Sequence, residues 1–199
     1  GDRKRRSPGR RITTPRLAPP STANPQAVSP TSTMANALEF DLQSIDRDHV
    51  AIDRMKLNEY LKQRGTFAVL DHLCYSDQES VISVGVKAIR PDDWWTEDHI
   101  PGRPMFPGAL MIETAAQIAS YDYSCYRVKE GDTRCGGFGG VDNARFRGIV
   151  EPPCRLFIVV RLERAGSRMF RYATQGFVET DGVLAEKRCF EADVLGVIL

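Results

Sequence analysis

Apolar and polar positions change rhythm several times along the chain, and each rhythm predicts an element. Ile52, Met55, Leu57 and Leu61 roughly follow one helical stripe, with Gly65 after Arg64 as a stop, so a helix is expected there. Two runs rich in aliphatic and aromatic residues come next, 67–75 and 81–89, with polar residues 76–80 as a turn between two strands. The apolar segment 109–128 is longer than an ordinary strand and follows Pro107-Gly108, which predicts a helix. Leu110, Met111, Ile112, Ala115, Ala116, Ile118 and Ala119 cover nearly every side of it, so it should be buried. Strand patterns resume after the glycine run 136–140. Leu156, Ile158, Val160 and Leu162 alternate with Arg155, Arg161 and Glu163, and 170–178 and 183–194 are joined by the hairpin signal Thr180-Asp181-Gly182. Two strands, a buried helix and several further antiparallel strands predict an α+β domain, with the helix against one face of a curved sheet.

Composition separates a tail from this domain. Residues 1–36 scatter Pro8, Pro15, Pro19, Pro20, Pro25 and Pro30 among Ser, Thr, Ala and Arg without apolar periodicity. Such a segment cannot bury enough surface to offset its ordering entropy, so a disordered tail is expected, followed by a single domain over 37–199. Its basic, acid-poor character suits an organelle transit peptide; alternatively Met34 is the native start and the preceding residues are a leader or remnant. Residues 1–38 carry seven Lys or Arg and one acid, leaving the remainder with 20 basic and 25 acidic residues. The folded part is thus mildly acidic and offers no nucleic-acid groove. No apolar stretch is long enough to span a membrane. Cys74, Cys125, Cys135, Cys154 and Cys189 form no C-x-x-C pair and are odd in number, which points to free thiols in a reducing, cytoplasmic setting rather than to zinc or disulfides.

The chemistry concentrates in the stretch His99-Ile100-Pro101-Gly102-Arg103-Pro104-Met105-Phe106-Pro107-Gly108, which runs into the buried helix. Three prolines and two glycines in ten residues stiffen a loop, and a stiff loop holds a side chain still. His99 at its start is a side chain that can take and give a proton near neutral pH. Gly108 at its end lies where backbone N–H groups lack intrahelical partners and face any polarised carbonyl that approaches. Glu113, five residues on, is the only charged residue between 107 and 121, so it should be protonated, hydrogen-bonded or at a cavity, with Gln117 one turn away. A histidine, an amide donor and a buried carboxyl suffice for an elimination beside a thioester carbonyl. Taken singly, His99 is equally a polar loop residue and Glu113 a structural hydrogen-bond partner. His49 and His72 have no comparable rigid context.

The run from His99 to Gln117 resembles the signature of the 3-hydroxyacyl-[acyl-carrier-protein] dehydratases of type II fatty acid synthesis. That signature is His-Phe-Pro-Gly, then Pro-x-Met-Pro-Gly, then Glu, then Gln four residues later. Val141-Asp142-Asn143-Ala144-Arg145-Phe146-Arg147 resembles a later run of the same family, and the segment from Phe67 to Asp71 its first strand. The resemblance implies a hot-dog fold, an antiparallel sheet wrapped round a long central helix, assembled as a homodimer or a trimer of dimers. It implies an acyl chain carried on the phosphopantetheine arm of an acyl carrier protein, with no metal or redox cofactor. His99 of one subunit and Glu113 of the other would meet across the thioester, and Gly108 would donate an N–H to its carbonyl. Ile100, Pro101, Gly102, Phe106, Pro107 and Gln117 would line the substrate. Arg103, Arg145 and Arg147 are candidate docking residues for the acidic carrier.

The chain departs from the pattern in places. Ile100 stands for the usual Phe and Phe106 for Met, Arg64-Gly65-Thr66 replaces a Pro-His-Arg-Tyr-Pro segment, and Pro152-Pro153-Cys154 replaces Pro-Gly-Asp. These bear on chain length and carrier preference and leave the three chemical positions intact. Two other functions fit the same fold: an acyl-thioester-binding protein without turnover, and a thioesterase in which Glu113 activates water.

Overall fold

The computed structural model describes residue 38, residues 40–128 and residues 136–199. The expected tail and Cys135 lie outside them. Seven strands make one antiparallel sheet: β1 (His72–Asp77), β2 (Ile82–Ile89), β3 (Gly136–Phe146), β4 (Cys154–Ala165), β5 (Met169–Thr180), β6 (Val183–Leu184) and β7 (Phe190–Ile198). Their spatial order is β1-β2-β4-β5-β7-β3, with β6 paired to β5. Three α-helices accompany them among the described residues, α1 (Arg54–Tyr60), α2 (Trp95–Asp98) and α3 (Gly108–Tyr126). Helix α3 touches β2, β3, β4, β5 and β7, so the sheet wraps around it. This is the α+β arrangement that the hydrophobic pattern predicts.

Burial of α3 explains its sequence. Ala115, Ile118 and Ala119 are fully buried, and small residues let the helix sit close on the strands. The approach is tight at Gly85 of β2, where a Cβ would lie 2.4 Å from Ile118 Cδ1. Further along, Asp122 is completely buried and accepts from the Tyr172 hydroxyl of β5 and from Ser83 Oγ of β2 (3.2 Å), with Arg127 Nε 3.6 Å away. A buried carboxylate so surrounded ties the second half of the helix to the sheet.

A second apolar cluster lies apart from the core around α3. Leu38 and Leu42 pack on Cys74, Ile82, Val84, Val86, Phe157 and Val159. Successive residues of a strand point to opposite faces, and Leu156, Ile158 and Val160 belong to the α3 core, so Phe157 and Val159 belong to the outer face. Residue 38 and residues 40–48 therefore lie across that face as an arm. Arg47 Nε donates to Glu179 (2.9 Å), Arg155 Nε donates to the other Glu179 oxygen (2.8 Å), and Arg155 also reaches Asp48 (2.6 Å).

Four expected elements differ in detail. The first helix ends at Tyr60, well before Gly65; Met55 is solvent-exposed and Ile52 instead makes a β-bridge to Leu73. Asp53 caps it by accepting from Lys56 N, and Arg64 takes up the carbonyls of Leu61 and Asn58 beyond its end. The first strand starts at His72 rather than at 67, because Gly65–Phe67 form a 3-10 turn. The glycine run 136–140 lies inside β3 rather than before the strands. The strand expected over 183–194 is split: Asp181 and Gly182 make the turn with positive φ, but β6 is two residues long before the chain leaves and returns as β7.

Candidate functional site

The His99 loop is pinned at both ends. Trp95 of α2 is buried edge-to-face on Phe106, ring centroids 5.3 Å apart, and Phe106 N donates to Val150 O (2.8 Å). Between them Arg103 N donates to Ile100 O (3.0 Å), closing a turn in which Gly102 takes a φ of 77°. Ile100, Pro101 and Gly102 are exposed on this turn, whereas Phe106 belongs to the core. His99 follows α2 directly, and its Nδ1 lies 2.9 Å from Met105 O. A carbonyl oxygen only accepts, so Nδ1 carries the proton. In the neutral ring Nε2 is then the bare, basic nitrogen.

Helix α3 begins where the loop ends. Pro107 precedes it and its carbonyl accepts from Leu110 N (2.9 Å) and Met111 N (3.2 Å), so the Gly108 and Ala109 amides precede the first intrahelical bonds. The Phe146 ring, from the end of β3, lies over this start: a Cβ at Gly108 would be 2.8 Å from two of its carbons. Phe146 in turn stacks on Phe190, centroids 5.5 Å apart. A bulge at Asn143, with φ 53° and its side-chain amide donating to Asp193 (2.6 Å), shifts the register before Ala144 and Phe146.

Glu113 stands half-buried on the second turn of α3. Its Oε1 accepts from Gln117 Nε2 at 2.8 Å and from Gln63 Nε2 at 3.4 Å. Gln117 is fully buried; its amide also donates to Phe67 O (2.7 Å) and its oxygen accepts from Leu70 N (3.3 Å). Of the three conditions the sequence allows for this carboxyl, hydrogen bonding is met. No hydrogen bond joins His99 to Glu113 within the chain: the first is tied to Met105, the second to Gln63 and Gln117. Gln63 is the residue that sequence reasoning missed, since it lies 50 residues from Glu113 in a polar stretch with no motif.

The remaining candidates lie around this frame. Arg103 is 3.7 Å from Glu151, Arg147 pairs with Glu191, and Arg145 donates to Ala144 O. His72 opens β1, where burial pulls its pKa below the ordinary value, and His49 is exposed in the arm. Among the described residues no group of three or more His, Cys, Asp or Glu could hold a metal ion. Burial pushes the thiols of Cys74 and Cys154 up to about 11 and that of Cys189 up to about 12, as expected of cysteines that serve as small apolar residues. No described helix is long and apolar enough to cross a membrane.

Known proteins share this fold. A dehydratase heterocomplex from Xenorhabdus doucetiae superposes with a TM-score of 0.56 at 16% identity, over 72% of this chain and 90% of its own. A thioesterase from Pseudomonas aeruginosa superposes with a TM-score of 0.54, also at 16% identity, over 75% and 95%. Identities this low speak for the fold alone, the hot dog. In sequence, a 3-hydroxyacyl-[acyl-carrier-protein] dehydratase FabZ from Polynucleobacter necessarius is 31% identical over 68% of this chain and 88% of its own length. A FabZ from Gluconacetobacter diazotrophicus is 30% identical over 73% and 89%. The model of the FabA-like domain matches residues 61–187, a stretch containing the His99 loop, all of α3 and most of the sheet. The chain therefore belongs to the FabA-like family, that of the 3-hydroxyacyl-[acyl-carrier-protein] dehydratases.

Proposed function

We propose that the protein removes water from 3-hydroxyacyl thioesters carried on acyl carrier protein, giving trans-2-enoyl thioesters. The observation that carries this is the tie between His99 Nδ1 and Met105 O, which leaves Nε2 as a base of fixed direction at the end of a stiff loop. Nε2 takes the α-proton, made acidic by the thioester carbonyl. The Gly108 N–H at the start of α3 stabilises the negative charge that develops on the carbonyl oxygen. Glu113, in its acid form, gives its proton to the departing β-hydroxyl, and water leaves. The proton then passes from the imidazolium back to the carboxylate, restoring both groups. Electrons and protons balance without an oxidant, so this scheme draws on no redox cofactor, and the Gly108 N–H and the Glu113 carboxyl take the parts that a metal Lewis acid would otherwise play.

The site is completed by a second copy of the chain. Two observations support this: His99 and Glu113 are not bonded to each other within one chain, and β3 is an edge strand of eleven residues. The opposite edge, β1, is partly covered by the Ile52 bridge to Leu73. Two β3 edges side by side would bring the Gly108 ends of both helices into reach of both loops. The acidic carrier would dock near Arg103, Arg145 and Arg147.

Incubation with a 3-hydroxyacyl thioester and, separately, a saturated acyl thioester tests this reading. A 2-enoyl product from the first and no thiol release from the second is the expected result. Thiol release from the saturated substrate would replace it with a thioesterase in which Glu113 activates water. Binding without either product would leave an acyl-thioester-binding protein.

A further inference from the structure

We propose that Gln63 is a positioning residue for Glu113: with Gln117 it holds Oε1 from a second direction and so presents Oε2 to the reacting groups. The proposal rests on the reading of Glu113 as the proton-transferring carboxyl. A carboxyl held by one donor pivots about that bond, and two donors on the same oxygen fix its plane. Gln117 is itself immobile, because Phe67 O and Leu70 N use the rest of its amide. The second donor comes from a separate segment, and that segment is clamped at Gln63 itself. Arg54 Nη2 (3.3 Å) and Arg64 Nη1 (2.8 Å) both donate to the Gln63 carbonyl. Arg54 also holds Leu70 O (2.8 Å), and Arg64 holds Leu61 O (2.8 Å) and Asn58 O (2.9 Å). Two guanidinium groups on one carbonyl repel each other; burial foremost, and then the neighbouring Arg64, draws the Arg54 pKa down. The base of the Gln63 side chain is therefore fixed in place at an electrostatic cost. Its amide nitrogen faces Oε1 because a carboxylate oxygen accepts, and the amide oxygen there would be repelled. Among the described residues nothing donates to Oε2, so that oxygen is the one available to substrate.

The test combines turnover with a readout that does not need it. In the wild-type protein the side-chain amide signals of Gln63 in a proton–nitrogen NMR spectrum should move when Glu113→Gln is introduced; no movement would overturn the proposal whatever the reaction proves to be. With a 3-hydroxyacyl pantetheine thioester, Gln63→Leu should lower kcat by up to about tenfold, the upper end expected for loss of one hydrogen bond, with KM within about twofold. Gln63→Glu, equal in size but an acceptor, should be worse than Gln63→Leu. Gln63→His, which keeps an N–H at similar reach, should stay within about threefold of wild type. Melting temperatures identify any variant whose loss reflects folding. Stable Leu and Glu variants with wild-type kcat would overturn the proposal. A wild-type protein that forms no enoyl product would instead remove the dehydratase reading, and the NMR result would still decide the contact.

Discussion

At Gly108 an added methyl group would lie 2.8 Å from two carbons of the Phe146 ring, so the glycine follows from an aromatic side chain delivered by a different strand. Phe146 is half exposed, 51%, and has room to swing away at some cost. Gly108→Ala gains about 1 kcal/mol of helix propensity and loses about 1–3 kcal/mol to overpacking, so the melting temperature should fall slightly. Turnover should fall by more than about tenfold, because the shift occurs at the amide proposed to face the thioester. Adding Phe146→Ala should restore the melting temperature, which a double-mutant cycle of thermal melts would measure. A single variant as stable and active as wild type would mean that the ring yields freely and does not shape the site. At this scale much was legible in the sequence. His99, Gly108, Glu113 and Gln117 follow one another through a loop and two helical turns, where local rules hold. Gln63 was not legible, since only the fold brings its amide across 50 residues, and neither was the Met105 carbonyl, which every residue type possesses.

The elements show what hydrophobic pattern can and cannot encode. Val69 and Leu70 are buried yet belong to no strand, because apolar side chains report burial and pairing is made by the backbone. The glycine-rich run of β3 is the reverse case: it pairs with β7 from Gly136 onward but has, Phe138 apart, no side chains with which to announce a strand. The arm escaped notice for a third reason. Its residues from Leu38 to Asp48 are acidic and aperiodic, and the outer face of a strand such as β4 is expected to meet water. Instead Phe157 and Val159 are buried beneath Leu38 and Leu42. Leu42 is 3% exposed, so Leu42→Ala should destabilise the protein by about 2–4 kcal/mol in a denaturant titration, with kcat little changed because the arm is on the face away from α3. A change below about 0.5 kcal/mol would mean that the arm rests on the sheet without sealing it.

For the molecule as a whole, the sheet has one edge partly bridged by Ile52 and one, β3, with no strand on its outer side among the described residues. If two β3 edges meet and each site is shared, His99→Ala and Glu113→Ala homodimers should each be nearly inactive. Random exchange of subunits makes about half the dimers mixed, each with one intact site in two, so about a quarter of wild-type turnover should return on mixing. Native mass spectrometry would establish that exchange has occurred. Mixed dimers no more active than their parents would place both residues in the same subunit's site. The outer face carries a different consequence, for transplantation. The family-matched stretch begins at residue 61, but the lid of the second apolar cluster and two of the charges around Glu179, Arg47 and Asp48, lie before it. A graft begun at residue 61 and run through β7 would carry His99, Gly108 and Glu113 and arrive with an oily back. Among the described residues its Glu179 would keep Arg155 alone as partner, so the family-matched part of this protein is not a module that travels alone.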